Sequence, residues 1–263
     1  MRVYWTYWAI IASALAIFLL VSPFLPPTCE RIELPKVTAS EDTLLRWKGS
    51  PLVVQIPPPL FPASGIRRGL HRPDTAVQKV LLVGDSMIEW FRYRLARWCR
   101  EAGYALYTVI WPSSNLIWWG KSDTLAAFIR QYQPTYVLIC VGSNELLIPH
   151  IHRRKVYLER ILGQIGSIPY VWIGPPNWQE DTGINQLISE TVGAGRFFDS
   201  RRITMERLED GAHPVPSAAY RWADSVVVFL RDSALVPLSF PIDPPKGKTA
   251  LPNETQFLAA HAP

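Results

Sequence analysis

A serine becomes a nucleophile when a nearby histidine can take its proton, and the histidine works best when a carboxylate holds its ring. This 263-residue chain carries that set in short polar blocks. Ser86 closes the block Gly84-Asp85-Ser86. Asn144 lies in Gly142-Ser143-Asn144-Glu145. His213 closes Asp210-Gly211-Ala212-His213. Ser86 is the candidate nucleophile and His213 its general base. Asp210, three residues before His213 on the same loop, can accept an imidazole N–H and fix the tautomer. If Ser86 opens a helix, its own N–H is one of the unpaired donors of the first turn. That N–H and the Asn144 side-chain amide could both bind an oxyanion. Attack on an ester carbonyl is the chemistry these groups support.

Such groups must be placed by a frame, and the hydrophobic pattern predicts one. Short runs rich in Val, Ile and Leu suggest strands at 79–83, 105–110, 136–141 and 170–173, with a shorter one at 196–198. Helical spacing falls between them, at 87–102, 123–132, 155–165 and 183–192, and again at 217–231. In the first helix Ile88, Phe91, Leu95 and Trp98 share a face, and Arg92, Arg94, Arg97 and Arg100 are expected to point largely to water. Gly103 stops that helix as a C′ glycine would. Strands alternating with helices imply a parallel sheet covered on both faces. In such sheets active groups gather beyond the carboxyl ends of the strands. The three polar blocks follow the first, third and fifth strands.

With these blocks in that order, residues 79 to about 230 resemble the SGNH (GDSL-like) hydrolase superfamily. That family places a serine in a Gly-Asp-Ser block, an asparagine in a Gly-x-Asn block, and a histidine three residues after an aspartate near the C-terminus. The resemblance implies a flavodoxin-like three-layer α/β/α sandwich with a central, mostly five-stranded parallel sheet. It implies catalytic roles for Ser86, Asp210 and His213, and an oxyanion-hole role for Asn144 beside the Ser86 N–H. One block departs from the pattern. The family has a glycine after the second strand whose N–H is a further oxyanion donor, whereas this chain reads Trp111-Pro112-Ser113-Ser114-Asn115. Either Ser113 or Ser114 could supply the N–H, and Gly120 comes late for it. Asp85 is expected to hold its turn by bonding backbone, and Glu145 to be structural or at the rim. Trp118, Trp119 and Trp178 fall in loops near the expected cleft and are candidate substrate-binding residues. His150 and His152 form a His-x-His pair, but two ligands are too few for a metal site. No metal or other cofactor is implied.

The rest of the chain bears on location and partners. Val3 to Leu25 is apolar and uncharged, long enough to cross a bilayer, with Tyr4, Trp5, Tyr7 and Trp8 at its first end. Residues 1–27 therefore read as a transmembrane anchor or a signal segment. The domain is expected outside the cytoplasm (periplasmic or at the cell surface), and secreted if the segment is cleaved. Residues 28–78 are Pro-rich and read as a connector, 79–235 as the hydrolase-like domain, and 236–263 as a disordered tail. None of the three cysteines forms a CxxC pair, and Cys140 sits in an apolar run where a thiol packs as a small hydrophobe. The net charge is +5, but no dense Lys/Arg run accompanies it, so no nucleic-acid partner is expected. The expected activity is that of a serine esterase removing a small acyl group, such as acetyl, from a glycan or another ester-bearing molecule. Two rivals use the same fold. One is an O-acyltransferase fed by a membrane acyl-donor partner. The other is a catalytically inactive binding module.

Overall fold

The computed structural model describes residues 77–261. The expected anchor at 1–27, with Cys29, and nearly all of the 28–78 connector lie outside the described residues. Among the described residues no helix is long and apolar enough to cross a membrane.

The chain alternates strand and helix. β1 (Lys79–Gly84) leads into α1 (Ile88–Glu101), and β2 (Ala105–Ile110) into α2 (Leu116–Lys121) and α3 (Thr124–Tyr132). β3 (Tyr136–Cys140) is followed by a 3-10 turn at Ser143–Glu145, another at Ile151–Arg154, and α4 (Lys155–Ile165). β4 (Tyr170–Ile173), α5 (Ile184–Val192), β5 (Phe197–Phe198) and α6 (Pro216–Asp232) come next, and β6 (Glu254–Phe257) closes the series. All strand pairings are parallel, in the order β5-β4-β3-β1-β2-β6.

The first five strands thus take the flavodoxin-like order 2-1-3-4-5, whose topological switch point lies between β1 and β3. The reason β1 reads as an unbroken apolar run is that both its faces are buried. Val80 and Leu82 pack into one layer with Ile88, Phe91 and Leu95 of α1 and Trp222 and Val226 of α6. Leu81 and Val83 pack into the opposite layer with Leu116, Leu125, Leu158 and Ile184 from α2 to α5. This is the expected three-layer sandwich, with one more strand. At the switch point β1 and β3 approach so closely that a Cβ on Gly84 would lie 2.6 Å from the Cys140 carbonyl oxygen. Only glycine allows that approach, and it brings the loops after β1 and β3 together. Cys99 and Cys140 are both buried free thiols.

The C-terminal segment corrects the expectation of a disordered tail from 236. Asn253 bonds Leu106 twice, and β6 then pairs along β2 from Tyr107↔Glu254 to Ile110↔Phe257. The reading of the α1 arginines is corrected in part with it: Arg100 is exposed as expected, but Arg92 and Arg94 are buried and Arg97 is half-buried. Arg92 and Arg94 are only 5% and 7% exposed. Arg94 donates to Asp224 Oδ1 at 2.6 Å and to the Gly247 and Lys248 carbonyls, and Arg97 donates to the Lys246 carbonyl at 2.8 Å. Arg94 and Arg97 hold the returning chain rather than water, because arginine's planar fork suits backbone acceptors, whereas Arg92 bonds the Glu89 carbonyl and the Tyr93 hydroxyl of its own helix.

Candidate active site

Ser86 sits in the turn between β1 and α1, half-buried. Its hydroxyl lies 2.8 Å from His213 Nε2, and His213 Nδ1 lies 2.6 Å from Asp210 Oδ2. The structure therefore joins the serine, histidine and aspartate that the sequence singled out into one hydrogen-bonded chain. With Nδ1–H given to Asp210, Nε2 is left to accept the serine proton. The Ser86 backbone N–H makes no hydrogen bond among the described residues.

The histidine loop owes its shape to local hydrogen bonds. Leu208 N–H donates to the His213 carbonyl and Val215 N–H to that of Glu206, so 206–215 folds back on itself ahead of α6. Gly211 takes the turn with φ +68. Asp210 Oδ1 accepts the Ala212 N–H at 2.8 Å and the His213 N–H at 2.9 Å, while Oδ2 faces the ring. The Ala212 amide, then the His213 amide and ring, hold the Asp210 carboxyl down at about 2. It is thus an anion at neutral pH. Arg207, which no sequence pattern singled out, donates to the Ala212 carbonyl and, at 2.7 Å, to the Asn177 carbonyl. It ties the histidine loop to the loop after β4.

Asp85, the residue before Ser86, is fully buried. Its Oδ1 accepts the Met87 N–H at 3.0 Å, and its Oδ2 accepts the Ser143 hydroxyl. Burial raises its carboxyl above the ordinary value. This aspartate joins the Ser86 turn to the Asn144 turn, so it holds more than its own turn.

The block after β2 resolves between its two serines. Ser114 is buried, and its N–H is already given to the Trp111 carbonyl at 3.1 Å. Its hydroxyl accepts from Trp119 Nε1, and its carbonyl accepts from Asn144 Nδ2 at 2.9 Å. Ser113 is exposed, with φ +61, and its N–H makes no hydrogen bond among the described residues. Pro112 followed by a left-handed residue is the pattern of a type II turn, which favours glycine at that second position. Ser113 thus stands where a glycine is expected and offers the free N–H, and Ser114 does not. Asn144 is exposed, and the Ser114 bond takes one of its two amide hydrogens.

Glu145 is buried at 1% exposure. One of its oxygens faces Arg154 Nε at 2.7 Å, and the other accepts the Leu116 N–H at 2.8 Å. It is a structural tie between the loops after β2 and β3, not a rim residue. The tryptophans divide. Trp118 and Trp178 are half-buried, and Trp178 Nε1 donates to the Ser143 carbonyl at 3.3 Å, beside Asn144. Trp119 is 1% exposed in the core with its N–H on Ser114, so it cannot touch a substrate. His150 and His152 have ring centroids 6.1 Å apart, and the described residues hold no cluster of three or more metal-ligating side chains.

No protein-family model matches the sequence, and no curated protein matches it. Among solved structures, a chain provisionally assigned to the G-D-S-L lipolytic family, from Desulfitobacterium hafniense DCB-2, is similar at 15% identity and a TM-score of 0.39. The match covers 58% of this chain and 99% of that one.

Proposed function

We propose that this protein is a serine esterase, an acylhydrolase that forms an acyl-enzyme on Ser86. The observation that carries the reading is the chain from Ser86 Oγ through His213 to Asp210, at 2.8 and 2.6 Å. His213 Nε2 takes the hydroxyl proton as Ser86 Oγ bonds to the ester carbonyl carbon. The developing oxyanion is met by the backbone N–H groups of Ser86 and Ser113 and by the remaining amide hydrogen of Asn144. The imidazolium, stabilised by the Asp210 carboxylate, returns its proton to the departing alcohol. Water, deprotonated by the same nitrogen, then releases the acid and restores the serine.

The side chains of His213 and Asp210 are 35% and 47% exposed. A base this open needs its substrate to exclude water from it, which a bulky alcohol does and a small one does not. A small acyl group on a glycan fits that requirement, with the half-buried Trp118 and Trp178 as the surfaces a sugar would stack on. In this reading residues 1–27 anchor the domain on the extracytoplasmic side.

The test is hydrolysis of p-nitrophenyl acetate by the full-length protein and by its Ser86→Ala and His213→Ala variants. Each substitution should lower kcat by about three orders of magnitude or more, as loss of a triad member does. A Ser86→Ala variant that turned over at the wild-type rate would remove the esterase reading.

A further inference from the structure

We propose that the C-terminal strand and the residues just after it position part of the active site. β6 and the two residues after it set the position of the Pro112–Ser113 turn, and with it the Ser113 N–H. The inference rests on the esterase reading, because it concerns a donor to that reaction's oxyanion.

The turn cannot hold itself. Within it there is one backbone hydrogen bond, from Ser114 N–H to the Trp111 carbonyl at 3.1 Å. Ser113 lies at φ +61 with a Cβ to accommodate, a conformation that costs about 1–2 kcal/mol for a residue other than glycine. Strain of this kind persists only where the surroundings impose it. The second half of the turn is held by Asn144 on the Ser114 carbonyl and Trp119 on the Ser114 hydroxyl. The first half depends on Trp111. Its backbone N–H donates to the Gly84 carbonyl at 2.9 Å, on the β1 side. Its indole N–H donates to the Ala259 carbonyl at 2.9 Å, on the side of the returning tail. Leu258 N–H bonds the Ile110 carbonyl directly before it. The Trp111 ring is 4% exposed and packs against Trp118 and Trp119 at 5.5 and 5.2 Å, so moving it moves the start of α2 as well.

The tail is firm enough for this work. Beyond the β6 pairing, Glu254 Oε1 accepts the Tyr132 hydroxyl at 2.9 Å, and Ala250 N–H donates to the Tyr93 carbonyl at 2.9 Å. Trp111 and residues 258–259 are positioning residues, since they act through the turn rather than on substrate.

The experiment uses the full-length protein with Trp111→Phe, which keeps an aromatic ring and removes the indole N–H. A second variant ends at Pro252 and so lacks β6. Turnover of p-nitrophenyl acetate, Ser86 labelling by a fluorophosphonate and the thermal midpoint are measured for each. For Trp111→Phe the expected result is a fall of about tenfold in kcat and in labelling rate, with KM within about twofold. Its midpoint should stay within about 3 °C of wild type. The shortened chain should lose about a hundredfold and regain activity when a peptide of residues 253–263 is added. If the shortened chain does not fold, Trp111→Phe decides alone. Unchanged kcat in Trp111→Phe, or an equal fall in kcat and stability with KM raised in step, overturns the inference. Wild-type protein without Ser86-dependent turnover overturns the esterase reading instead, and is distinguished by the Ser86→Ala control.

Discussion

Replacing Glu145 by alanine should separate the frame of the site from its chemistry. The carboxylate has two partners, the Leu116 N–H at 2.8 Å and Arg154 Nε at 2.7 Å. Leu116 is fully buried, so its amide would be left without an acceptor, at a cost of about 1–3 kcal/mol. The Arg154 side chain is 21% exposed and can turn to water, so losing its partner adds no more than about 1 kcal/mol. The sum is about 3 kcal/mol. For a domain of this size each kcal/mol moves the midpoint by about 2–4 °C, so Glu145→Ala should unfold about 9 °C early. Glu145→Gln keeps an acceptor for Leu116 and gives up the charge and the acceptor facing Arg154, so it should lose about 3 °C. Activity should follow the same order, falling in kcat more than in KM, because this contact joins the loops that carry Ser113 and Asn144. Near-ultraviolet circular dichroism on heating, which the many tryptophans make sensitive, reads the first effect. A Glu145→Ala protein melting within 1 °C of wild type, or a Gln variant worse than the Ala variant, would refute the reasoning.

Two further substitutions test the site from other directions. Ser113→Gly relieves the left-handed strain and keeps the N–H, so it should raise stability by about 0.5–1 kcal/mol with kcat little changed, whereas Ser113→Pro removes the donor and, because its ring cannot take a positive φ, the turn as well, so it should lower kcat by about a hundredfold or more. Chemical denaturation with ester assays checks both, and a fully active proline variant would exclude the Ser113 N–H as a donor. Asp85 is held above its ordinary 3.8 by burial, so the folded state binds its proton more tightly than the unfolded chain does. That contribution to stability is complete below about pH 4 and is lost as pH rises through the folded value. Asp85→Asn cannot lose it. The variant's midpoint should therefore gain on wild type between pH 4 and pH 8, and a gap that stays constant or moves the other way would contradict the assignment.

Much of this was legible in the sequence because the relevant signals are local. β1 and β3 announce themselves as apolar runs buried on both faces. Ser86 and Asn144 follow β1 and β3 within a few residues, and His213, though farther from β5, is marked by the Asp210–His213 spacing that closes within one loop. What the sequence hid is what comes from far along the chain. β6, Glu-Thr-Gln-Phe, covers the sheet's edge with mixed polar residues and carries no apolar run, so it read as tail. Trp119 looked like a loop aromatic until α2, a six-residue helix with no distinguishing periodicity, buried it. Arg94 and Arg97 looked like a wet face because their partners are carbonyls some 150 residues away.

One asymmetry runs through these cases. The groups proposed to react are side chains of distinctive type, which spacing can reveal. Several of the groups that hold them act on peptide acceptors. Arg207 reaches the Ala212 and Asn177 carbonyls, Asn144 that of Ser114, and Trp111 that of Ala259. Every residue has such a carbonyl, so composition and spacing cannot mark which one is used. In Trp111-Pro112-Ser113 the two kinds of information meet. The turn type asks for glycine, the chain supplies serine, and the cost of that choice is met by contacts that include the Ala259 carbonyl, just past β6 and far along the chain. A site whose oxyanion donor depends on such a contact should lose its geometry before it loses its fold, with kcat failing ahead of the melting point.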